Sequence, residues 1–132
     1  MLTVKLIIEK IYEKWSTAVS EKVGNNYGMK NSGTISKTPY ASCVFNGIPG
    51  TNWDLDGDEG AVEPTIQIDI FTSGQKDVSQ AYEIDEVSHK ILGKLGFRRR
   101  SGPTPTWNID PSITRITSVY YRTVGYGDSF PE

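Results

Sequence analysis

The sequence is poor in the residues from which many functional sites are built. It contains one cysteine, Cys43, and one histidine, His89. A single cysteine excludes an internal disulfide and a multi-cysteine zinc site. No apolar run is long enough to span a bilayer, and charged residues interrupt the apolar start that a signal peptide would need. We therefore expect a soluble intracellular protein with no membrane partner.

Basic residues are absent from the middle of the chain. The 132 residues fit one domain, with a net charge of −2. Residues 38–75 hold six acidic residues and no lysine or arginine, so this stretch carries −6. Six lysines and three acidic residues precede it (+3), and eight basic and seven acidic residues follow it (+1). This differs from the uniform positive excess of a nucleic-acid binder, and is typical of a polarised chain or of ordinary surface solvation.

Two helices are predicted from apolar residues at three-to-four spacing. Residues 3–22 form one apolar stripe, and the Thr3 hydroxyl can cap the first turn. The second helix opens at Asp77, which forms a variant of the capping box with Gln80 three residues later. It has one apolar face, and Gly96 is the natural end of the helix.

Four strands are predicted around the second helix. Residues 65–71 alternate strictly between apolar and polar, which predicts a half-buried antiparallel strand. Residues 39–45 predict a short strand before it, and residues 113–124 a long final strand. Trp107 and Ile109 predict a further short strand. The order α-β-β-α-β-β predicts an α+β domain with both helices packed on one face of an antiparallel sheet.

The remaining segments have no helix or strand period. Residues 24–38, rich in glycine, asparagine and serine, predict a long mobile loop, and such loops in a compact domain are often functional. Residues 46–64 predict a turn-rich connection, and residues 101–106 a Pro/Gly turn. Residues 125–132 are predicted to form a loose tail.

The acidic middle segment contains three alternate aspartates, Asp54, Asp56 and Asp58, within WDLDGDEG. A calcium loop of the EF-hand type needs oxygen ligands at positions one, three and five, glycine at six and glutamate at twelve. The aspartates match the first requirement, but Glu59 stands at position six and Thr65 at position twelve. The stretch is therefore predicted to be a solvated bend whose Asp-Gly pairs form turns, without a metal site.

Motifs for catalysis are also missing. His89 lies away from the apolar face of its helix, and no second histidine or thiol stands at ligand spacing. Cys43 lies in an apolar strand without a basic neighbour that would lower its pKa, so a buried structural thiol is expected. No G-x-S-x-G turn occurs, and no glycine loop matches the phosphate-binding patterns. We predict no catalytic residue, no cofactor and no enzymatic activity.

The run Arg98, Arg99 and Arg100 follows the end of the second helix. One interpretation is contact with the phosphates of a nucleic acid. A second is complementation of the helix dipole within a solvated turn. A third is an ion pair with the acidic stretch 54–63 of a neighbouring subunit. The second and third are favoured, because no recognition helix or interleaved aromatic residues accompany the run.

The layout of the chain resembles that of a known family. An amphipathic helix leads through a turn-rich stretch into PTIQIDIFTSGQKDVSQAYEIDEVSHKILGKLGF, and the chain closes with ITRITSVYYRTVGY. This resembles the small tail-terminator and tail-completion proteins of long-tailed (siphovirus-type) bacteriophages, within the minor head–tail joining group. The resemblance implies a small α+β sandwich whose subunits form a ring, usually a hexamer, that caps the tail tube where it meets the head.

The resemblance also implies the partners and the location. The partners would be copies of the chain itself, the tail tube protein and a head-completion or connector protein, with DNA only passing through the ring. The location would be the head-proximal end of the virion tail, after assembly in the host cytoplasm. Segregated charge suits a ring interface in which one patch meets a different patch on the next copy. The candidate interface residues are Asp54, Asp56, Asp58, Glu59, Arg98, Arg99 and Arg100.

Two alternative functions stay open. One is another phage neck or head-closure protein of similar size, which also works by protein contacts. The other is a metal-dependent nucleic-acid enzyme. Its ligands would be Asp54, Asp56, Asp58 and Asp69.

Overall fold

Two helices and eight strands make up the described part of the chain. The computed structural model describes residues 4–29, 37–47, 50–53 and 59–125, with only the backbone described at 4, 50–53, 59–62 and 125. The helices are α1 (Val4–Val23) and α2 (Asp77–Lys94). The strands are β1 (Tyr27–Gly28), β2 (Tyr40–Gly47), β3 (Gly50–Trp53), β4 (Glu59–Val62), β5 (Thr65–Ser73), β6 (Arg98–Pro105), β7 (Ile113–Tyr121) and β8 (Val124–Gly125).

The strands form one five-stranded sheet and one three-stranded sheet. The larger sheet has the order β1-β2-β5-β7-β6, and every pair in it is antiparallel except β1 with β2. The smaller sheet has the order β3-β4-β8. The predicted α+β class is confirmed, and the element order roughly matches the prediction. The short strands β1, β3 and β4 were not predicted, and β8 falls at the end of the predicted final strand.

Alternation along β5 places Ile66, Ile68 and Ile70 in the hydrophobic core, each at most 1% exposed. Buried residues of both helices belong to the same cluster. Trp15 of α1 donates its indole N–H to the Ser88 hydroxyl of α2 over 2.9 Å, which joins the two helices. In the larger sheet, α1 contacts β1 and β2, whereas α2 contacts β5, β6 and β7. The predicted packing of both helices on one face stays a prediction.

The core face of α1 follows from its sequence spacing. Five residues at intervals of three or four contribute to the core and are at most 7% exposed: Ile7, Ile11, Trp15, Val19 and Val23. Each such burial stabilises the fold by roughly 1.5–3 kcal/mol. The predicted apolar stripe of the first helix is therefore confirmed.

The ends of α2 are fixed by local hydrogen bonds. Its C-terminus is a Schellman motif, in which Phe97 N–H donates to the Leu92 carbonyl over 2.9 Å, with Gly96 at φ 88° as predicted. At its N-terminus the prediction is off by one residue, because Lys76 occupies the cap position. The Asp77 carboxylate accepts the Val78 amide over 2.8 Å.

The segment after α2 is the clearest difference from prediction. A Pro/Gly turn was predicted at residues 101–106, but residues 98–105 form strand β6 at the edge of the larger sheet. Two register shifts, between Arg99 and Ser101 and between Ser101 and Thr104, absorb the turn-forming residues. Gly102 lies at φ 92°, and a Cβ there would collide with β7. Glycine and bulges thus let a turn-like sequence remain in an edge strand.

The predicted strand at Trp107 and Ile109 is wrong. Both residues lie in the 106–112 connection between β6 and β7, and their side chains are 77% and 66% exposed. The connection is held by local bonds rather than by a strand ladder, since the Asp110 carboxylate accepts both the amide and the hydroxyl of Ser112. This is an Asx-type turn, which competes with strand formation.

The predicted loop at 24–38 contains ordered backbone at both ends. Tyr27 and Gly28 pair in parallel with β2, and the Asn26 side-chain amide donates to the carbonyls of Lys37 and Pro39 over 2.8 and 2.7 Å. Residues 30–36 lie outside the described residues, so the predicted mobility is not addressed there. The predicted final strand ends at Tyr121, and β8 pairs with β4 instead. The rest of the predicted tail, 126–132, also lies outside the described residues.

Candidate functional site

The three arginines predicted as one basic group do not share one environment. They begin strand β6, whose alternation leaves Arg98 and Arg100 exposed and half-buries Arg99. The Arg99 guanidinium lies 3.0 Å from both carboxylate oxygens of Asp85 on α2, and the Asp85 side chain is only 7% exposed. Arg99 therefore forms its ion pair within its own chain.

Arg99 also belongs to a polar cluster that joins α2 to β6 and β7. It donates to the Tyr120 hydroxyl oxygen from Nε and Nη2, over 3.0 and 2.5 Å. His89 Nδ1 lies 3.1 Å from the same oxygen. The Tyr120 hydroxyl therefore lies between the guanidinium of Arg99, which donates to it, and the imidazole ring of His89. Ser118 adds a longer hydrogen bond of 3.4 Å to Asp85.

The chemistry of this cluster favours a structural role. Tyr120 is 1% exposed. Burial raises its pKa, although the charge and hydrogen bonds of Arg99 act in the opposite direction. A tyrosine acting as a base would need a lowered pKa. The cluster instead fixes α2 on the sheet through charge-assisted hydrogen bonds.

A second polar cluster surrounds Asp69 on β5. Asp69 is fully buried and accepts from Arg115 Nε over 2.9 Å and from the Thr117 hydroxyl over 2.5 Å. The Gln67 amide donates to its other oxygen over 2.8 Å. Arg115 also lies over the Phe71 ring, 5.3 Å from its centroid. Asp69, a ligand in the alternative metal enzyme, thus has a cation and two other donors within its own chain.

The face of β5 that was predicted to be polar and exposed is covered in its middle. Asp69 and Phe71 are at most 1% exposed, Thr65 and Gln67 are half-buried, and Ser73 is exposed. Thr106 donates to the Thr117 hydroxyl over 2.7 Å, so the chain after β6 lies beside this face. Alternation in the sequence indicates which residues of β5 share a face. It does not indicate that residues distant in sequence cover the middle of the polar face.

The acidic half of the predicted interface lies partly outside the described residues. Asp54, Asp56 and Asp58 fall there, and Glu59 is described only as backbone, paired with Trp53 between β4 and β3. These positions therefore stay predictions. The two strands belong to one antiparallel hairpin, and residues 54–58 connect them in sequence.

The described end of the acidic stretch contacts the arginine run within one chain. Glu63 lies 3.2 Å from Arg100 Nη2, and the two side chains are 29% and 52% exposed. Arg100 also stacks over Tyr121, 4.6 Å from the ring centroid. An ion pair this exposed contributes about 0.2–1 kcal/mol. For Arg100, the acidic partner expected from a neighbouring subunit comes from its own chain.

Arg98 is exposed at the start of β6. It lines a polar depression of about 290 Å³ together with Gly96, Tyr121, Arg122 and Thr123. Arg122 is turned toward α2, where it donates to the Leu95 carbonyl over 2.5 Å and complements the negative helix terminus. The exposed positive charge beside this depression therefore comes mainly from Arg98.

Two apolar surfaces were missed by the sequence analysis. The first is the 106–112 connection, hereafter the Trp107 loop, with its exposed Trp107 and Ile109. The second, hereafter the α1 groove, has a volume of about 680 Å³ and a largely apolar surface. Its described lining residues are Lys5, Ile8, Glu9, Tyr12, Glu13 and Met29. Ile8 lies within the apolar stripe predicted for residues 3–22, and in the structure it is half-buried beside the core face of α1.

The remaining candidates for chemistry are modest. Cys43 is fully buried, as predicted for a structural thiol, and burial raises its pKa far above the ordinary value. Across 4–29, 37–47 and 59–125, no three histidine, cysteine or acidic side chains converge as metal ligands would.

Neither models of known protein families nor curated proteins provide a match for this chain. In the described part of the chain, neither helix combines the length and the apolar character needed to cross a lipid bilayer. Any statement of function must therefore come from the residues and their geometry.

Proposed function

We propose that this chain is a structural protein of a long-tailed bacteriophage, which forms a ring at the end of the tail tube and joins it to the head. The observation that carries the proposal is the order of elements in the stretch that resembles tail-terminator proteins. There a central strand (β5), a helix (α2) and two antiparallel strands (β6 and β7) follow one another. The resemblance suggests a hexamer.

The distribution of charged groups supports a role in protein contacts. The two buried aspartates, Asp69 and Asp85, are each paired with an arginine of the same chain. Such pairs leave no spare charge for a reaction, because each carboxylate is neutralised and hydrogen bonded. What the described surface does offer is an exposed arginine, Arg98, and the two apolar surfaces defined above.

Protein contacts of this kind suit the proposed partners. A closed ring uses a heterologous interface, in which two different patches of one chain meet on neighbouring copies. The faces of the ring would bind the tail tube protein on one side and a head-completion protein on the other. DNA would pass through the centre without sequence recognition.

The proposal is tested by mixing the purified protein with tail tubes that lack a terminator and with DNA-filled heads. We expect the protein to cosediment with the tubes and to enable them to join heads. If the protein binds only to the DNA-filled heads, it has a head-closure role instead of the proposed role at the tail tube. Binding to neither, with a strictly monomeric mass in light scattering at high protein and low salt, would contradict it.

A further inference from the structure

The Trp107 loop presents its apolar side chains in a fixed conformation. Asp110 accepts from the amide and the hydroxyl of Ser112 over 2.9 and 2.6 Å, and these bonds lower the pKa of its carboxyl group. The Asn108 side-chain amide donates to the Asp110 carbonyl over 3.1 Å. Thr106 N–H donates to the Arg115 carbonyl over 2.8 Å, which anchors the start of the loop on β7.

Such a loop has the properties of a binding anchor. Trp107 is 77% exposed, although tryptophan is among the residues that contribute most when buried at interfaces. Because the loop is already ordered by its own hydrogen bonds, binding costs it little conformational entropy. Ile109, two residues on in the same loop, is also 66% exposed.

The α1 groove is a suitable receptor for this anchor. Its volume of about 680 Å³ lies within the range of roughly 300–1,000 Å³ found for pockets that bury small ligands. Ile8, Tyr12 and Met29 supply its apolar surface, and Met29 is 39% exposed. Lys5, Glu9 and Glu13 supply charged side chains, as in an apolar interface centre with a polar rim.

The two surfaces lie toward opposite edges of the larger sheet. In the order β1-β2-β5-β7-β6, α1 contacts the β1–β2 side, and Met29 directly follows β1. The Trp107 loop connects β6 with β7 at the other side. One chain therefore presents the anchor and the groove in different directions, which is the arrangement that a head-to-tail contact requires.

We propose that copies of this chain associate head to tail, with the Trp107 loop of one copy seated in the α1 groove of the next. This inference rests on the proposed ring function and identifies the two patches that meet in it. The occupant is a second copy because the chain itself carries both an apolar anchor and an apolar groove of fitting size.

The buried area supports an anchor within a larger interface. A tryptophan side chain buries about 150–250 Å². At 77% exposure, Trp107 offers roughly 120–190 Å² of this area, against about 800 Å² per partner in a standard interface. One side chain would thus provide about a fifth of a stable contact, as expected of a hot spot.

The first test compares association of the wild-type chain with three single variants by sedimentation velocity over a range of concentrations. We expect Trp107→Ser on the anchor and Ile8→Glu in the groove each to weaken association roughly 30-fold or more. Lys90→Ser, at an exposed position on α2 outside both surfaces, should leave it unchanged. Unaltered melting temperatures would show that the variants fold. If the Trp107→Ser variant associates as strongly as the wild type, the inference is wrong. The ring proposal would not be affected by that result.

The second test introduces cysteines beside each surface while keeping the anchor intact. Under mild oxidation, a mixture of Asn108→Cys and Glu9→Cys chains should form disulfide-linked dimers, whereas neither variant alone should. Cys43 is fully buried and does not compete. If the Asn108→Cys variant cross-links with itself, the contact is symmetric and the inference is wrong. If the mixture does not cross-link even with tail tubes present, the inference is also wrong. Failure of the wild type both to associate and to bind tubes or heads would instead contradict the proposed function.

Discussion

Replacing Arg99 tests the most specific claim about the arginine run, which is that neighbouring residues of β6 have different roles. Arg99→Met removes a guanidinium that pairs with Asp85 and donates to Tyr120. Arg100→Met, one residue further, removes a guanidinium that pairs with Glu63 at the surface. The two substitutions are chemically identical, so any difference between them comes from the environment.

The expected magnitudes follow from burial. The Asp85 side chain is 7% exposed, so Arg99→Met leaves a nearly buried carboxylate with only the long Ser118 contact among its described donors. Removing one partner of a buried pair costs about 3–5 kcal/mol. Arg99 itself is 20% exposed, which places the expected loss of unfolding free energy near the lower end, about 3 kcal/mol. Arg100→Met should cost about 0.2–1 kcal/mol.

Urea unfolding measures both variants and the wild type at one protein concentration. A loss of about 3 kcal/mol should also lower the melting temperature by roughly 10 °C in a domain of this size. Asp85→Asn combined with Arg99→Met should lose less than the sum of the single variants, because the two residues interact directly. Equal losses for the Arg99 and Arg100 variants would refute the assignment of Arg99 to the interior.

Three further predictions concern a helix end, a carboxylate and metal binding. Gly96→Ala, at φ 88°, should lower the unfolding free energy by about 1–2 kcal/mol. Gly93→Ala, within α2 and with open space for a Cβ, should raise it by up to about 1 kcal/mol. Equal changes for the two variants in urea unfolding would contradict this prediction. The pKa of Asp77, lowered by hydrogen bonds from the Thr114 hydroxyl and from the backbone, should rise in Thr114→Val; an unchanged NMR titration would argue against the bond. Because the folded pKa is lowered, this stabilisation is present above the unfolded pKa and is lost as pH falls through the folded value. Millimolar calcium, magnesium or manganese should not shift the melting temperature, because a calcium loop starting at Asp54 has Glu59 in place of the glycine at position six and Thr65 in place of the closing glutamate. A shift of several degrees would restore the metal-enzyme alternative.

The helices and the central strand were predictable because their signals are local. The spacing of Ile7, Ile11 and Trp15 requires no knowledge of the rest of the chain, and neither does the Schellman end at Gly96. Strand β6 was not predictable in this way. Its Gly-Pro sequence favours a turn, and only bulges and pairing with β7 keep it in the sheet.

The candidate site was harder to predict because it depends on distant partners. Asp69 meets Arg115 across 46 positions of the chain, and Trp15 meets Ser88 across 73. Reading residues 98–100 as a strand would have separated Arg99 from its neighbours by period-two alternation. For Trp107 the sequence misled, because an aromatic residue near a β-branched one resembles a buried strand while Asp110 and Ser112 form a turn.

We propose that this chain works by docking onto copies of itself and onto a tubular partner. Negative-stain images of the purified protein mixed with terminator-free tail tubes address that statement directly. The account predicts a ring of uniform size at one end of each tube, and its loss with Trp107→Ser. Tubes with bare ends at saturating protein would contradict it.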